Sequence, residues 1–303
     1  MAQEKKGLIA RMLEGKERSE EYARSTLPTN RWQPFFDIFK GNFGKIVKVN
    51  FLILLFFIPM IAIIVLFMLL GNTNNAIYPF GSNLTTGYPA QPNTAGLSEM
   101  LKLQSDGFMY GAFVLASFIA AIGLAGGMYV IRNMVWTEGI FVANDFWRGI
   151  KINIVVVLQS TLFYSIFLFG FFISIRFSEY IIASGTGSTV WMTISMAISY
   201  VAIVIFTMMY LWMLAMGGSY KLKFFQLLKN SFLMTFGLIF QNIFFVILMA
   251  IPVILILLGS FFQMVGIVFM ILFGLSFMLL VWLDYTQWAF DKFIESKREG
   301  GKV

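Results

Sequence analysis

Residues 51–70 read FLILLFFIPMIAIIVLFMLL, a run without one charged or hydrogen-bonding side chain. A bilayer's hydrocarbon layer is about 30 Å thick and needs about 20 apolar helical residues to cross it. Backbone inside lipid must satisfy its own hydrogen bonds, so such a run is read as helix. Five more runs of this kind follow: Met109–Ile131, Ile152–Ile175, Val190–Met216, Phe232–Leu258 and Phe262–Leu283. The expected fold is an all-α membrane protein, a six-transmembrane-helix bundle within residues 32–283. Tails at 1–31 and 284–303 flank it, and a long loop at 71–108 follows the first span.

Charge sets the orientation. Counted over the tails and the loops between spans, 20 of the 22 Lys and Arg fall on the side that holds both termini. Positive residues stay in the cytoplasm, so both termini are expected there and the 71–108 loop outside. The net charge of +7 is therefore a topology signal. Such residues also draw anionic lipids to the inner face, by about 1 kcal/mol each. Nucleic acid is not an expected partner. The bilayer is, with a homo-oligomer as a further option.

Composition narrows the chemistry. The chain has no Cys and no His. That removes thiol nucleophiles, disulfides, the commonest metal ligand and the commonest general base. No cofactor or metal site is expected. Residues 1–25 mix Lys, Arg and Glu and lack the short apolar run of a cleavable signal. The 71–108 loop reads as a mobile loop or as a small cap, with Leu97–Leu103 as a short helix.

An aromatic amphipathic segment precedes each odd-numbered span. Trp32, Phe35, Phe36, Phe39 and Phe43 form a helical stripe before the first, with Thr29 or Asn30 as cap. Phe146, Trp147, Ile150 and Ile154 repeat it before the third, with Asp145 as cap, and Phe224, Phe225, Leu228 and Phe232 before the fifth. These predict cytoplasmic elbow helices lying in the membrane interface, or else the first turns of the spans themselves. A match at one offset of 193 residues suggests repeated hairpins: Phe43-Gly44 with Phe236-Gly237, Phe51 with Phe244, Pro59 with Pro252. The two prolines predict bent first and fifth spans.

The middle of every span lacks ionisable residues, which argues against a buried proton relay or voltage sensor. Uncharged polar groups remain, notably Asn50, Gln159, Tyr164, Gln241 and Asn242. They fit a sugar-like or zwitterionic ligand, or hydrogen bonds between helices at about 0.6 kcal/mol each. Gly111, Ala112, Ala116, Ala120, Gly123 and Gly127 fall roughly on one face of the second span and read as a close-packing surface. Near the inner face, Arg132, Glu138, Asp145, Trp147, Arg148 and Lys151 are the candidate contacts for a partner or lipid. Glu138 and Asp145 among cations also allow acid–base work, although a salt-bridged elbow is the simpler reading. No residue is assigned a catalytic role.

The stretch 123–153, GLAGGMYVIRNMVWTEGIFVANDFWRGIKIN, resembles the YesL-like family of small bacterial membrane proteins, a family of unknown function. The Phe35–Phe51 and Lys221–Phe236 segments are similar to a clostridial branch of it, and the 71–108 loop is a departure. The resemblance implies a plasma-membrane protein of a Gram-positive bacterium. It also implies an accessory role beside carbohydrate ABC importers, and it supplies no catalytic residues.

Three functions stay in competition. The first is a non-enzymatic accessory or scaffold protein for a carbohydrate ABC importer, in contact with its subunits. The second is a small-solute transporter or channel without a buried proton site. The third is an intramembrane enzyme acting on lipid or a polyprenyl carrier. A wet path through the bundle distinguishes transport. A dry core beside an apolar groove distinguishes scaffolding, and a wet pocket at Glu138 and Asp145 distinguishes an enzyme.

Overall fold

The computed structural model describes residues 32–77 and 95–295. The expected caps Thr29 and Asn30, residues 78–94 of the 71–108 loop and the outermost tails lie outside the described residues. Every regular element among them is helical. The chain divides at Gly41 and Asn42 into two units. The described part of the first is α1, Trp32–Gly41, in which Phe35 stacks on Phe39 at 6.3 Å.

The second unit holds the membrane domain. It comprises α2 (Phe43–Ile77), α3 (Leu97–Val135), α4 (Val142–Ser184) and α5 (Thr189–Ser219). The chain continues through α6 (Phe224–Gly237), α7 (Ile239–Met249), α8 (Ile251–Leu257), α9 (Ser260–Phe269) and α10 (Leu275–Phe290). Wide π-turns occupy Met270–Gly274 and Asp291–Glu295. Among the described residues five helices are long and apolar enough to cross a bilayer, six if the bent α6–α7 pair is one span. The chain is a multi-pass helical membrane protein.

Several sequence expectations need correction. The fifth run, Phe232–Leu258, is not one helix: α6 and α7 meet at a 94° bend, and Ala250 separates α7 from α8. Pro252 stands in the first turn of α8, where its missing N–H matters little. Pro59, by contrast, lies inside α2, which continues past it as one helix. The residues matched at the 193 offset therefore occupy different places: Phe43-Gly44 opens α2, whereas Phe236-Gly237 closes α6.

The elbow before the third span is not a separate helix. α4 runs unbroken from Val142, because nothing between Asp145 and Lys151 removes a backbone donor. Asp145 is not the N-cap either; it lies in the first turns, and its Oδ2 accepts from the Phe141 N–H at 2.8 Å. α1 and α6 remain as distinct short amphipathic helices.

Leu97–Leu103 is no independent cap helix but the opening of α3. At the other end of the chain, the core continues past Leu283: Tyr285, Thr286, Ala289 and Phe290 are all buried. A helix that carries an apolar face against the bundle has no reason to stop where the hydropathy run stops.

α3 is the central helix, packed along α4 and α2 and against α10. Its small residues set the spacing. A Cβ on Gly123 would lie 2.8 Å from that of Phe56, and one on Gly126 would lie 2.9 Å from the Phe146 ring. A Cβ on Gly127 would strike Ile53. Gly111, by contrast, has nothing within 4 Å, so the packing face begins deeper than expected.

Burial is uneven along the membrane domain. α2 buries Ile46, Val49, Asn50 and Ile53, while Ile58, Ile61, Val65 and Leu69 farther along are exposed. A block of buried residues lies where Met208–Met216 of α5 meets Leu279–Phe290 of α10. Trp212, Trp282 and Tyr285 interlock there edge to face, with centroids 5.3–5.8 Å apart. Such contacts add about 0.5–1.5 kcal/mol each beyond area burial.

Candidate functional site

The five polar residues expected inside the membrane separate into two buried amides, one tyrosine on a cavity wall and two glutamines. Gln159 and Gln241 are exposed on the helix surfaces. Asn242 is fully buried. Its Oδ1 accepts from Trp212 Nε1 at 3.0 Å and from the Tyr285 hydroxyl at 2.8 Å. Its Nδ2 donates to the carbonyls of Met234 and Thr235, both at 3.0 Å. Those carbonyls belong to the last turn of α6, where the regular ladder ends; Met234 is also reached by the Leu238 N–H at 3.2 Å, and Asn242 supplies a donor to both. Asn242 therefore clamps the 94° bend, with both N–H bonds and both oxygen lone pairs in use.

Asn50 performs the same task at another break. It is also fully buried. Its Nδ2 donates to the carbonyls of Met270 at 3.1 Å and Ile271 at 2.7 Å, and its Oδ1 accepts from the Ser276 N–H at 3.1 Å. These groups lie within and just after the π-turn between α9 and α10, where widening disturbs the regular ladder. Two residues read as ligand candidates are thus backbone clamps inside lipid, where an unpaired carbonyl costs several kcal/mol.

Tyr164 faces a cavity of about 440 Å³ between α2, α3, α4 and α5. Phe57 and Met60 of α2 form one wall. Tyr110, Phe113, Ser117 and Ala120 of α3 form another, facing Thr161, Leu168, Phe169 and Phe172 of α4. The lining is almost wholly apolar. At the α5 side, Tyr164 and Tyr210 stack at 4.4 Å with planes 5° apart. Each tyrosine hydroxyl pairs with a threonine on the opposite helix, Tyr164 with Thr207 and Tyr210 with Thr161, both at 3.0 Å. This cross-brace satisfies the polar atoms and leaves the cavity an apolar surface.

A charged cluster stands one turn beyond the cavity. Arg176 Nε donates to Asp106 Oδ2 at 2.6 Å and its Nη1 donates to Glu179 Oε2 at 2.8 Å. Asp106 is buried, whereas Arg176 and Glu179 keep 31% of their side-chain surface exposed. Tyr110 and Phe172 stack at 4.9 Å between this cluster and the cavity. Arg176 and Glu179 are three positions apart on α4. Asp106 lies 70 positions from Arg176, and only the α3–α4 packing brings it there.

The expected inner-face residues do not converge on one pocket. Arg132 lies over the rings of Tyr129 at 5.1 Å and Trp136 at 4.9 Å. Gln287 fixes Trp136 by accepting from its Nε1 at 2.6 Å. Glu138 is exposed, and Asp145 is engaged at the start of α4. Trp147 is half-exposed and meets Phe56 edge to face at 6.4 Å, while Arg148 and Lys151 are exposed. None of the six lines the cavity between α2, α3, α4 and α5. Trp212 and Tyr285, missed as partners of Asn242, look like ordinary apolar-run residues in the chain and carry no local signal.

Comparison with protein-family models, with curated proteins and with solved structures gives no match.

Proposed function

We propose that this protein is a non-enzymatic accessory or scaffold component of the plasma membrane, acting through helix packing. The observation that carries the reading is the engagement of Asn50 and Asn242: the buried amides that a solute path would use instead hold helix breaks together. The cross-braced Tyr164–Thr207 and Tyr210–Thr161 pairs support it in the same way. The dense Trp212, Trp282 and Tyr285 cluster fills the bundle at one end rather than opening a path. The 123–153 resemblance to the YesL-like family adds the partner class, a carbohydrate ABC importer, and the cytoplasmic placement of both termini follows from charge.

The test is affinity purification of the full chain in mild detergent, with mass spectrometry of what co-elutes. Recovery of ABC importer subunits, lost when Gly127 is enlarged to Leu in a variant that still folds, supports the reading. A second arm measures sugar uptake in a deletion strain carrying Gln159→Leu, Gln241→Leu and Tyr164→Phe together. Loss of uptake with unchanged expression and unchanged partner recovery would replace scaffolding with transport.

A further inference from the structure

The apolar cavity and the charged cluster beside it are parts of one arrangement. α3 and α4 run antiparallel and packed together, so equivalent steps along them lead in the same direction. Asp106 is one turn beyond Tyr110 on α3, and Arg176 is one turn beyond Phe172 on α4. One turn is about 5.4 Å. From the cavity outward the order is therefore apolar chamber, aromatic pair, then ion cluster. A phospholipid has the same order: hydrocarbon chain, glycerol ester, charged headgroup.

The chamber suits a hydrocarbon chain. Its volume of about 440 Å³ is roughly three times that of a dry apolar cavity that binds one benzene. Apolar cavities of this kind exclude water, and an empty one forfeits dispersion contacts on every wall. In a bilayer the neighbouring medium is lipid chain, and the Phe57–Met60 wall belongs to the little-buried half of α2. The hydroxyls that would make the chamber polar are already paired.

The cluster selects the headgroup. Glu99, Asp106 and Glu179 stand at this end against Lys102 and Arg176. Carboxylates outnumber cations, so a purely anionic headgroup meets net repulsion. A headgroup carrying both signs does not: its phosphate accepts from a guanidinium with five donors, and its ammonium donates to a carboxylate. The 31% exposure of Arg176 and of Glu179 leaves both within reach.

We propose that the cavity between α2, α3, α4 and α5 is a lipid site that takes one acyl chain of a zwitterionic aminophospholipid, its headgroup held at Arg176 and Glu179. The inference needs the bundle to lie in a bilayer and is independent of the accessory role, so failure of one leaves the other standing.

The experiment uses the full chain in detergent, with Phe169→Trp as a reporter in the cavity wall. Phosphatidylethanolamine brominated on one acyl chain is titrated in, and tryptophan quenching is compared with that of the parent protein. The expected result is extra, saturable quenching in the reporter. Unlabelled phosphatidylethanolamine should compete at least about tenfold better than phosphatidylglycerol or a polyprenyl phosphate, a readable difference in affinity. Ala120→Leu, added to the reporter, should abolish the saturable component by filling the chamber. Glu179→Lys, at a partly exposed position, should invert the preference toward phosphatidylglycerol and tests the site even if Ala120→Leu does not fold. Quenching that only rises in proportion to added lipid, equal or better competition by phosphatidylglycerol or the polyprenyl phosphate, or an unchanged preference in Glu179→Lys would overturn the proposal.

Discussion

The side-chain amide of Asn50 donates to the carbonyl of Ile271 at 2.7 Å, joining residues 221 positions apart. The bond ties the first spanning helix to the π-turn of the last, at a depth where lipid offers the backbone no alternative partner. Asn242 ties α6, α7, α5 and α10 together by the same chemistry. Both amides are structural keys of the bundle.

Asn242→Leu should therefore be strongly destabilising. Four hydrogen bonds at about 0.6 kcal/mol each already amount to about 2.5 kcal/mol, and the stranded Trp212 and Tyr285 donors add to it. Gln241→Leu, on the exposed neighbouring position, should change stability by less than about 0.5 kcal/mol. Thermal unfolding in detergent, followed by size-exclusion fluorescence, separates the two. Equal midpoints would show that the clamp carries no weight.

Enlarging the small face of α3 should act by geometry. Gly127→Leu forces the side chain into Ile53, and Gly123→Val into Phe56. Overpacking of this kind costs about 1–3 kcal/mol. Gly111→Leu meets open space and should be tolerated. Folded yield after detergent extraction, compared across the three variants, reads the difference.

Arg176→Ala should leave Asp106 buried without its counter-charge. Removing one partner of a buried pair typically costs about 3–5 kcal/mol, and the partial exposure of Arg176 places the expected loss near the lower end. Asp106→Asn in the Arg176→Ala background should recover part of the stability, because the stranded charge is then gone. A double variant no more stable than Arg176→Ala alone would remove the ion pair as the cause.

Trp147→Glu should destabilise more than Arg148→Glu. Trp147 is half-exposed, yet its ring meets Phe56 and Phe146, whereas Arg148 is exposed. A carboxylate at position 147 faces apolar surface or lipid, and one at position 148 faces the side of the helix that already carries charge. Indistinguishable melting curves for the two purified variants would contradict this placement.

Orientation can be read on a background free of cysteine. Ser188→Cys should react with an impermeant thiol reagent in intact cells, and Gly139→Cys should react only after lysis, because 20 of 22 basic residues then lie inside. The opposite labelling pattern would invert the topology.

Hydropathy alone determined that this chain lies in a membrane as a bundle of long helices, because lipid accepts only backbone that pairs with itself. Charge in the loops carried the expected orientation for the same one-dimensional reason: it depends on where a residue falls along the chain. The runs did not show where helices break. Phe232–Leu258 is continuous in hydropathy, and its 94° bend depends on Asn242, Trp212 and Tyr285 meeting from three helices. Asn50 and Asn242 were legible as polar residues in apolar surroundings, but their role was not, since their acceptors are backbone carbonyls and carbonyls have no sequence. The cavity and its ion cluster were decided only in three dimensions. Asp106 and Arg176 meet because α3 packs on α4, which brings residues 70 positions apart side by side.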